Sequence, residues 1–184
     1  VFDLVRKRAV WLTVLFLGQF LTTSAMSFFE DELARALVLS LFIPLVISSG
    51  GNSGSQASTL VIRAMAMEEV RLRDWWRVLR REVVIGLLLG AVLGVIGLAW
   101  IVLFPGAEKN FGEHFVLVGV AVSLSLVWIV MWGAIAGAML PFALRRLGFD
   151  PASASAPFVA TLVDVTGLVI YFSIATAVLG GTLL

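Results

Sequence analysis

The chain has 184 residues, 60% of them hydrophobic and only 14% charged, with a mean hydropathy of +1.05, far too apolar for a soluble domain whose surface must be solvated. A formal net charge of +1 gives no bulk electrostatic basis for binding nucleic acid, and the absence of cysteine removes disulfides, thiolate metal sites and thiol chemistry. Lipid is the medium this composition fits.

A membrane-spanning helix needs roughly 20 mostly apolar residues. Five such stretches follow one another, at about 9–28, 36–61, 83–104, 115–144 and 157–184, so the expectation is an all-α, multi-pass membrane protein with a single transmembrane domain over residues 1–184. The first stretch is too long for the apolar core of a signal peptide and runs into four more spans. The chain opens on Val1 rather than Met, as expected of a piece of a longer protein.

Charges between the spans set the expected orientation. Arg6, Lys7 and Arg8, then Arg63, Arg71, Arg73, Arg77, Arg80 and Arg81, then Arg145 and Arg146 occupy alternate connections, while the other two carry only Arg35 and Lys109 beside Glu30, Asp31, Glu32, Glu108 and Glu113. The positive-inside rule puts the N-terminus in the cytoplasm and the C-terminus on the far side. The stretch from Arg63 to Arg81, with Trp75 and Trp76, reads as a basic amphipathic anchor along the headgroups.

The second span breaks its own pattern. The apolar run Ala36 to Ile47 contains Pro44 and is followed by Ser48, Ser49, Gly50, Gly51, Asn52, Ser53, Gly54, Ser55 and Gln56. Polar or irregular backbone at membrane depth is tolerated where it is buried in protein or lines water, and carbonyls, hydroxyls and carboxamides are partners for hard cations and their water shells. Gly50, Gly51, Asn52, Gly54 and Gln56 are therefore expected to line a permeation path, although a glycine-rich run also suits close helix packing.

In the third span Gly86, Gly90 and Gly94 repeat every four residues along one helix face. In the fourth, Gly133 and Gly137 lie among Ala134, Ala136 and Ala138. Both read as tight helix contacts, within the chain or across a dimer. Trp100, Trp128 and Trp132 read as packing or lipid-facing residues, and the lone His114 beside Glu113 lies outside the membrane, away from any metal role.

The fifth span holds the sharpest feature. Of twelve acidic residues, only Asp164 falls inside a hydrophobic stretch rather than in a loop or at a span end. Ionisable groups there are costly and normally face a partner or an aqueous path. Helical spacing places Pro157, Ala160, Thr161, Asp164, Leu168 and Tyr171 on one stripe, whose half bearing Pro157, Ala160 and Thr161 is small or polar and suited to lining a pore. The opposing reading has Asp164 protonated, or tied to a neighbouring hydroxyl such as Thr161 or Thr166, and merely holding helices together. No basic residue lies at its depth, however, and a bound cation would supply the missing partner.

The two features also match in depth. Asn52 lies 11 residues from Arg63 and Asp164 lies 14 after Asp150, which at ~1.5 Å per residue puts each on the order of 15–20 Å from the same boundary. Asp150 itself follows Arg145 and Arg146, where it would meet cytoplasmic ions or simply start a helix ahead of Pro151.

At these residues, Pro44 with Gly50-Gly51-Asn52-Ser53-Gly54-Ser55-Gln56 and Pro157-Phe158-Val159-Ala160-Thr161 leading to Asp164, the sequence resembles the transmembrane domain of the MgtE family of magnesium channels and transporters. The resemblance extends over essentially the whole chain. It implies a homodimer in the cell membrane with a central pathway, in which Asp164 of each subunit holds a largely hydrated Mg²⁺ and the backbone carbonyl near Ala160 helps line the ion site. It also implies a cytoplasmic regulatory region upstream, with Val1 to Arg8 as the end of the connecting helix. Two facing carboxylates would suit a dication better than one, and Mg²⁺, which dehydrates reluctantly, is often held by one or two carboxylates plus waters. Mn²⁺, Co²⁺, Ni²⁺ or Ca²⁺ would meet the same ligands.

A proton- or sodium-coupled carrier of a small solute is the alternative, but five spans do not divide into the paired halves such carriers often show. An enzyme is not expected. An aspartyl mechanism needs two carboxylates at one depth, and serine or zinc chemistry wants a histidine there; neither exists within the chain.

Overall fold

The computed structural model describes residues 2–183, with the side chains at 3, 4, 7, 8, 33, 35 and 152–155 outside that description. Lys7, Arg8 and Arg35 of the charge pattern therefore lie outside the described side chains, as do Val1 and Leu184 outside the described chain.

Helix α1, Phe2–Phe28, is followed by a short α2, Glu30–Arg35, and a 3₁₀ segment, Leu37–Phe42. Then come α3, Ile43–Ala66; a second 3₁₀ turn, Leu72–Asp74; α4, Trp75–Leu103; a single turn α5, Ala107–Phe111; α6, Phe115–Arg146; and α7, Pro151–Leu179. Among the described residues five segments are long and apolar enough to cross a membrane: Ala9–Phe28, Leu37–Ala66, Leu72–Leu103, Phe115–Arg146 and Ala156–Leu179.

Helix α6 is the hub. It packs against α3, α4 and α7; α3 also packs on α7; and α1 lies along α7. Small residues set these approaches, because without hydrophobic drive between helices in lipid the association relies on close packing. A Cβ on Gly86 would strike Met131, one on Gly90 would strike Val127 and one on Gly94 would strike Ser123, so the register runs antiparallel. The α4 glycine face therefore serves a contact within the chain. On the other side of α6, Gly133 meets the Gly50 backbone and Gly137 meets the Gly54 backbone, a parallel register.

Two expectations change here. The polar run Ser48 to Gln56 lies within the continuous helix α3, not in irregular backbone. Pro44 sits in the first turn of α3, where its missing N–H costs no hydrogen bond, and the 3₁₀ segment before it carries the irregularity. Of the hydroxyls inside α3, Ser49 donates to the Leu45 carbonyl at 2.7 Å and Thr59 to the Ser55 carbonyl at 2.8 Å, while Ser53 donates across to the Val130 carbonyl of α6 at 3.1 Å; none of these bonds unwinds the helix. Likewise Trp75 and Trp76 begin α4 and belong to a helix that continues to Leu103, rather than to a separate amphipathic stretch.

The basic connections converge at one end. Arg71 and Leu72 of the α3–α4 link lie beside Arg145, and Arg73 with Trp75 shares a hollow with Arg146. At the opposite end Trp100, Phe104 and Phe111 form an aromatic cluster joined by Phe42.

Candidate functional site

Helices α1, α3 and α7 line an open crevice of about 490 Å³. Helix α7 supplies Ala160, Asp164 and Leu168 at intervals of four. Helix α3 supplies Pro44, Ser48, Gly51, Asn52 and Ser55, and α1 supplies Thr22 and Met26. Asp164 is the one charged side chain among these lining residues. The antiparallel course of α3 and α7 brings the two sequence features together: Asp164 and Asn52 line the same space.

The carboxylate has a partner the sequence reading did not name. Gln19 Nε2 of α1 donates to Asp164 Oδ2 at 3.3 Å. The hydroxyls proposed for a clasp are engaged elsewhere. Thr161 donates to the Pro157 carbonyl at 3.2 Å; Thr166 donates to the Leu162 carbonyl at 2.7 Å and accepts from Trp132 Nε1 at 2.8 Å. Trp132 is thereby a packing residue with a satisfied N–H.

Several residues expected on the path take other places. Gly50 and Gly54 are buried against α6 and outside the crevice lining, because their missing side chains are what let the α6 backbone in. Gln56 lines a different hollow, of about 540 Å³, with Ser53, Arg63, Glu69, Arg81 and Glu82. Pro157 and Thr161 are not among the crevice residues either: Thr161 Cγ2 would lie 2.9 Å from a Cβ on Gly18, so it packs on α1. Asp150 is exposed just ahead of α7. Asn52, Gly51, Ala160 and Asp164 do share the crevice.

Glu82 was also missed. The expected boundary at residue 83 made it a span-end carboxylate, but it lies two turns inside α4, 5% exposed, with Oε1 accepting from Arg81 Nη2 at 3.0 Å and Nε at 3.2 Å. Three arginines in the first turns of α4 masked the helix start. Among the described residues there is no group of three or more His, Cys, Asp or Glu placed to hold a metal ion.

Five helices long and apolar enough to cross a membrane, with a carboxylate on a crevice between three of them, define a multi-pass membrane protein. The sequence comparisons make this specific: residues 43–174 match the profile of MgtE, described as a divalent cation transporter, and the chain belongs to that family. It is 45% identical over 172 residues to the magnesium transporter MgtE of Thermus thermophilus, covering 94% of this chain and 36% of that protein. It is also 35% identical over 171 residues to the magnesium transporter MgtE of Enterococcus faecalis, covering 92% of this chain and 36% of that protein. The magnesium transporter MgtE of Bacillus subtilis is 34% identical over 171 residues, at 93% and 36% coverage. The chain thus spans about a third of the length of the curated relatives it matches.

Proposed function

We propose that this chain is the membrane pore of a Mg²⁺ transporter, working as a homodimer in the cell membrane with its arginine-rich end in the cytoplasm and a cytoplasmic regulatory region in the full-length protein. The observation that carries the reading is Asp164, the charged side chain of a crevice otherwise lined by hydroxyl, carboxamide, backbone and apolar groups.

The size of the crevice favours a hydrated ion. Six waters occupy roughly 180 Å³ at ~30 Å³ each, and about 490 Å³ leaves room for that shell. Mg²⁺ keeps its waters in sites with one or two carboxylates. Asp164 then attracts the charge, while Asn52, Ser48, Ser55 and the Ala160 carbonyl accept hydrogen bonds from the shell. Asp150 is a weaker candidate contact at the inner mouth.

Dimerisation follows from the same face. Ser48, Asn52 and Thr59 are exposed on one side of α3, with Ser55 half-buried beside them, a polar stripe that lipid cannot solvate. A second copy would cover it and bring a second Asp164, doubling the charge available to a dication. Mn²⁺, Co²⁺, Ni²⁺ and Ca²⁺ are competitors for the same ligands.

The test is Mg²⁺ flux into liposomes carrying the protein, wild type against Asp164→Ala and Asp164→Asn, with folding checked for each. Loss of flux in both variants is expected. Unchanged flux would make Asp164 a packing residue and end the reading.

A further inference from the structure

Helix α1 packs poorly for a member of the bundle. Val10, Trp11, Leu12, Phe16, Leu17, Phe20 and Leu21 are all exposed, and its contacts run along α7. Yet Gln19, itself exposed, reaches the Asp164 carboxylate, and the half-buried Thr22 lines the crevice, three residues on and so its neighbour on the helix.

The hydroxyls on α1 behave differently from one another. Thr23 donates to the Gln19 carbonyl at 3.4 Å and Ser24 to the Phe20 carbonyl at 3.0 Å, the usual local solution for a hydroxyl in a helix. Thr22 does not. Its Oγ1 is buried with no hydrogen-bond partner among the described residues, and the residue lines the crevice that holds Asp164. A buried polar atom left without a partner is costly; closed to solvent as it is placed, the Thr22 hydroxyl reaches a partner in the crevice by a turn about χ1, since threonine in a helix divides between two rotamers.

The chemistry of that group follows from the donors and acceptors. Water bound to a dication turns its hydrogens outward, so every side chain that recognises the shell must accept. Gln19 spends its Nε2 donor on Asp164 Oδ2, which fixes the carboxylate and leaves Oδ1 for the shell; its own Oε1 remains an acceptor. Thr22 Oγ1 adds a second acceptor from the same helix.

We propose that α1 is the third wall of the cation site: Gln19 is a positioning residue that aims the Asp164 carboxylate, and Thr22 accepts from the water shell of a hydrated divalent cation. This rests on Asp164 being the ion ligand. The two α1 residues set how tightly the hydrated ion is held.

The test uses the full-length protein in liposomes with Mg²⁺ and, as a probe that cannot exchange its shell, hexaamminecobalt(III), whose N–H groups mimic outward-facing water. Thr22→Val keeps the shape of the side chain, and Gln19→Leu removes both ends of the amide. Each variant is expected to raise the half-saturating Mg²⁺ concentration and the half-blocking hexaamminecobalt(III) concentration about fivefold to tenfold, the effect of one hydrogen bond. Leu17→Ala, on the exposed side of the same helix, should leave both concentrations where they are. If neither concentration moves while Asp164→Ala still abolishes flux, the α1 assignment fails alone. Gln19→Leu lowering maximal flux and thermal stability together, with Thr22→Val silent, would make α1 a strut and overturn it too. Wild-type flux in Asp164→Ala would overturn the ion-ligand reading and this one with it.

Discussion

Gly54 and Gly137 meet backbone to backbone: a Cβ built on Gly137 would fall on the Gly54 carbonyl, and one turn back Gly133 stands in the same relation to Gly50. This contact fixes the rotation of α3. Residues two apart on a helix point roughly 200° from each other, so seating Gly50 and Gly54 on α6, with Val163 and Val159 of α7 on the same side, turns Ser48 and Asn52 away from α6 to the crevice. The glycines shape the site by what they do on the other side of the helix.

Gly137→Ala should therefore be among the most damaging small substitutions in the chain. The obstacle is backbone, which cannot swing aside as a flexible side chain can, and overpacking of this kind costs about 1–3 kcal/mol or more. Gly51→Ala makes the comparison, since a Cβ there meets nothing within 4 Å and alanine improves helix propensity by up to about 1 kcal/mol. Thermal unfolding in detergent should show a clear loss for Gly137→Ala and none for Gly51→Ala; equal behaviour would mean that α3 and α6 are not in close contact.

Tyr171 ties the irregular start of the second span to α7. It is fully buried, and its hydroxyl donates to the Leu39 carbonyl at 2.9 Å, inside the 3₁₀ segment that precedes Pro44. Tyr171→Phe keeps the ring and removes the donor, leaving that carbonyl one bond short at a cost of about 1–3 kcal/mol. Hydrogen exchange should quicken over Leu37–Phe42 while α4 amides stay protected. Uniform protection across both regions would count against the tie.

Much of this was legible in the sequence. Apolar length alone fixed five spans, and Asp164 stood out because a charge in an apolar run has no lipid partner. The faces of α3 were not legible: glycine, serine and asparagine look equally suited to a pore or a helix contact until the glycines of α6 are placed opposite. Gln19 gave little signal, because one amide in an apolar span means nothing until α1 is known to lie along α7. Glu82 was hidden by Arg77, Arg80 and Arg81, which made the first turns of α4 read as a loop although Val78 and Glu82 in those turns are buried.

The Arg81–Glu82 pair should respond asymmetrically. Glu82 carries a side chain 7% exposed and Arg81 one 56% exposed, so removing the arginine strands a buried carboxylate, whereas Glu82→Gln leaves a neutral amide and a solvated cation. A fully buried pair loses about 3–5 kcal/mol when one partner goes; solvent around Arg81 screens this, and about 1–2 kcal/mol is expected for Arg81→Ala. Unfolding measurements should rank Arg81→Ala below Glu82→Gln, with the double variant recovering most of the loss. The reverse ranking would show that the arginine, not the carboxylate, is the group that needs its partner.

The packing of α1 on α7 can be read directly with cysteines, because the chain has none of its own. A Cβ at Gly18 would lie 2.9 Å from Thr161 Cγ2, close enough that Gly18→Cys and Thr161→Cys together come within the Cβ separation of about 3.5–4.5 Å that a disulfide needs after small adjustment. Oxidation in liposomes should give a species that still runs as one chain on a non-reducing gel, and cleavage between α1 and α3 should leave the two fragments joined. Either single variant should give neither result. A cross-linked dimer would instead seat α1 against the α7 of a second copy, and the bond between Gln19 and Asp164 would then join two chains.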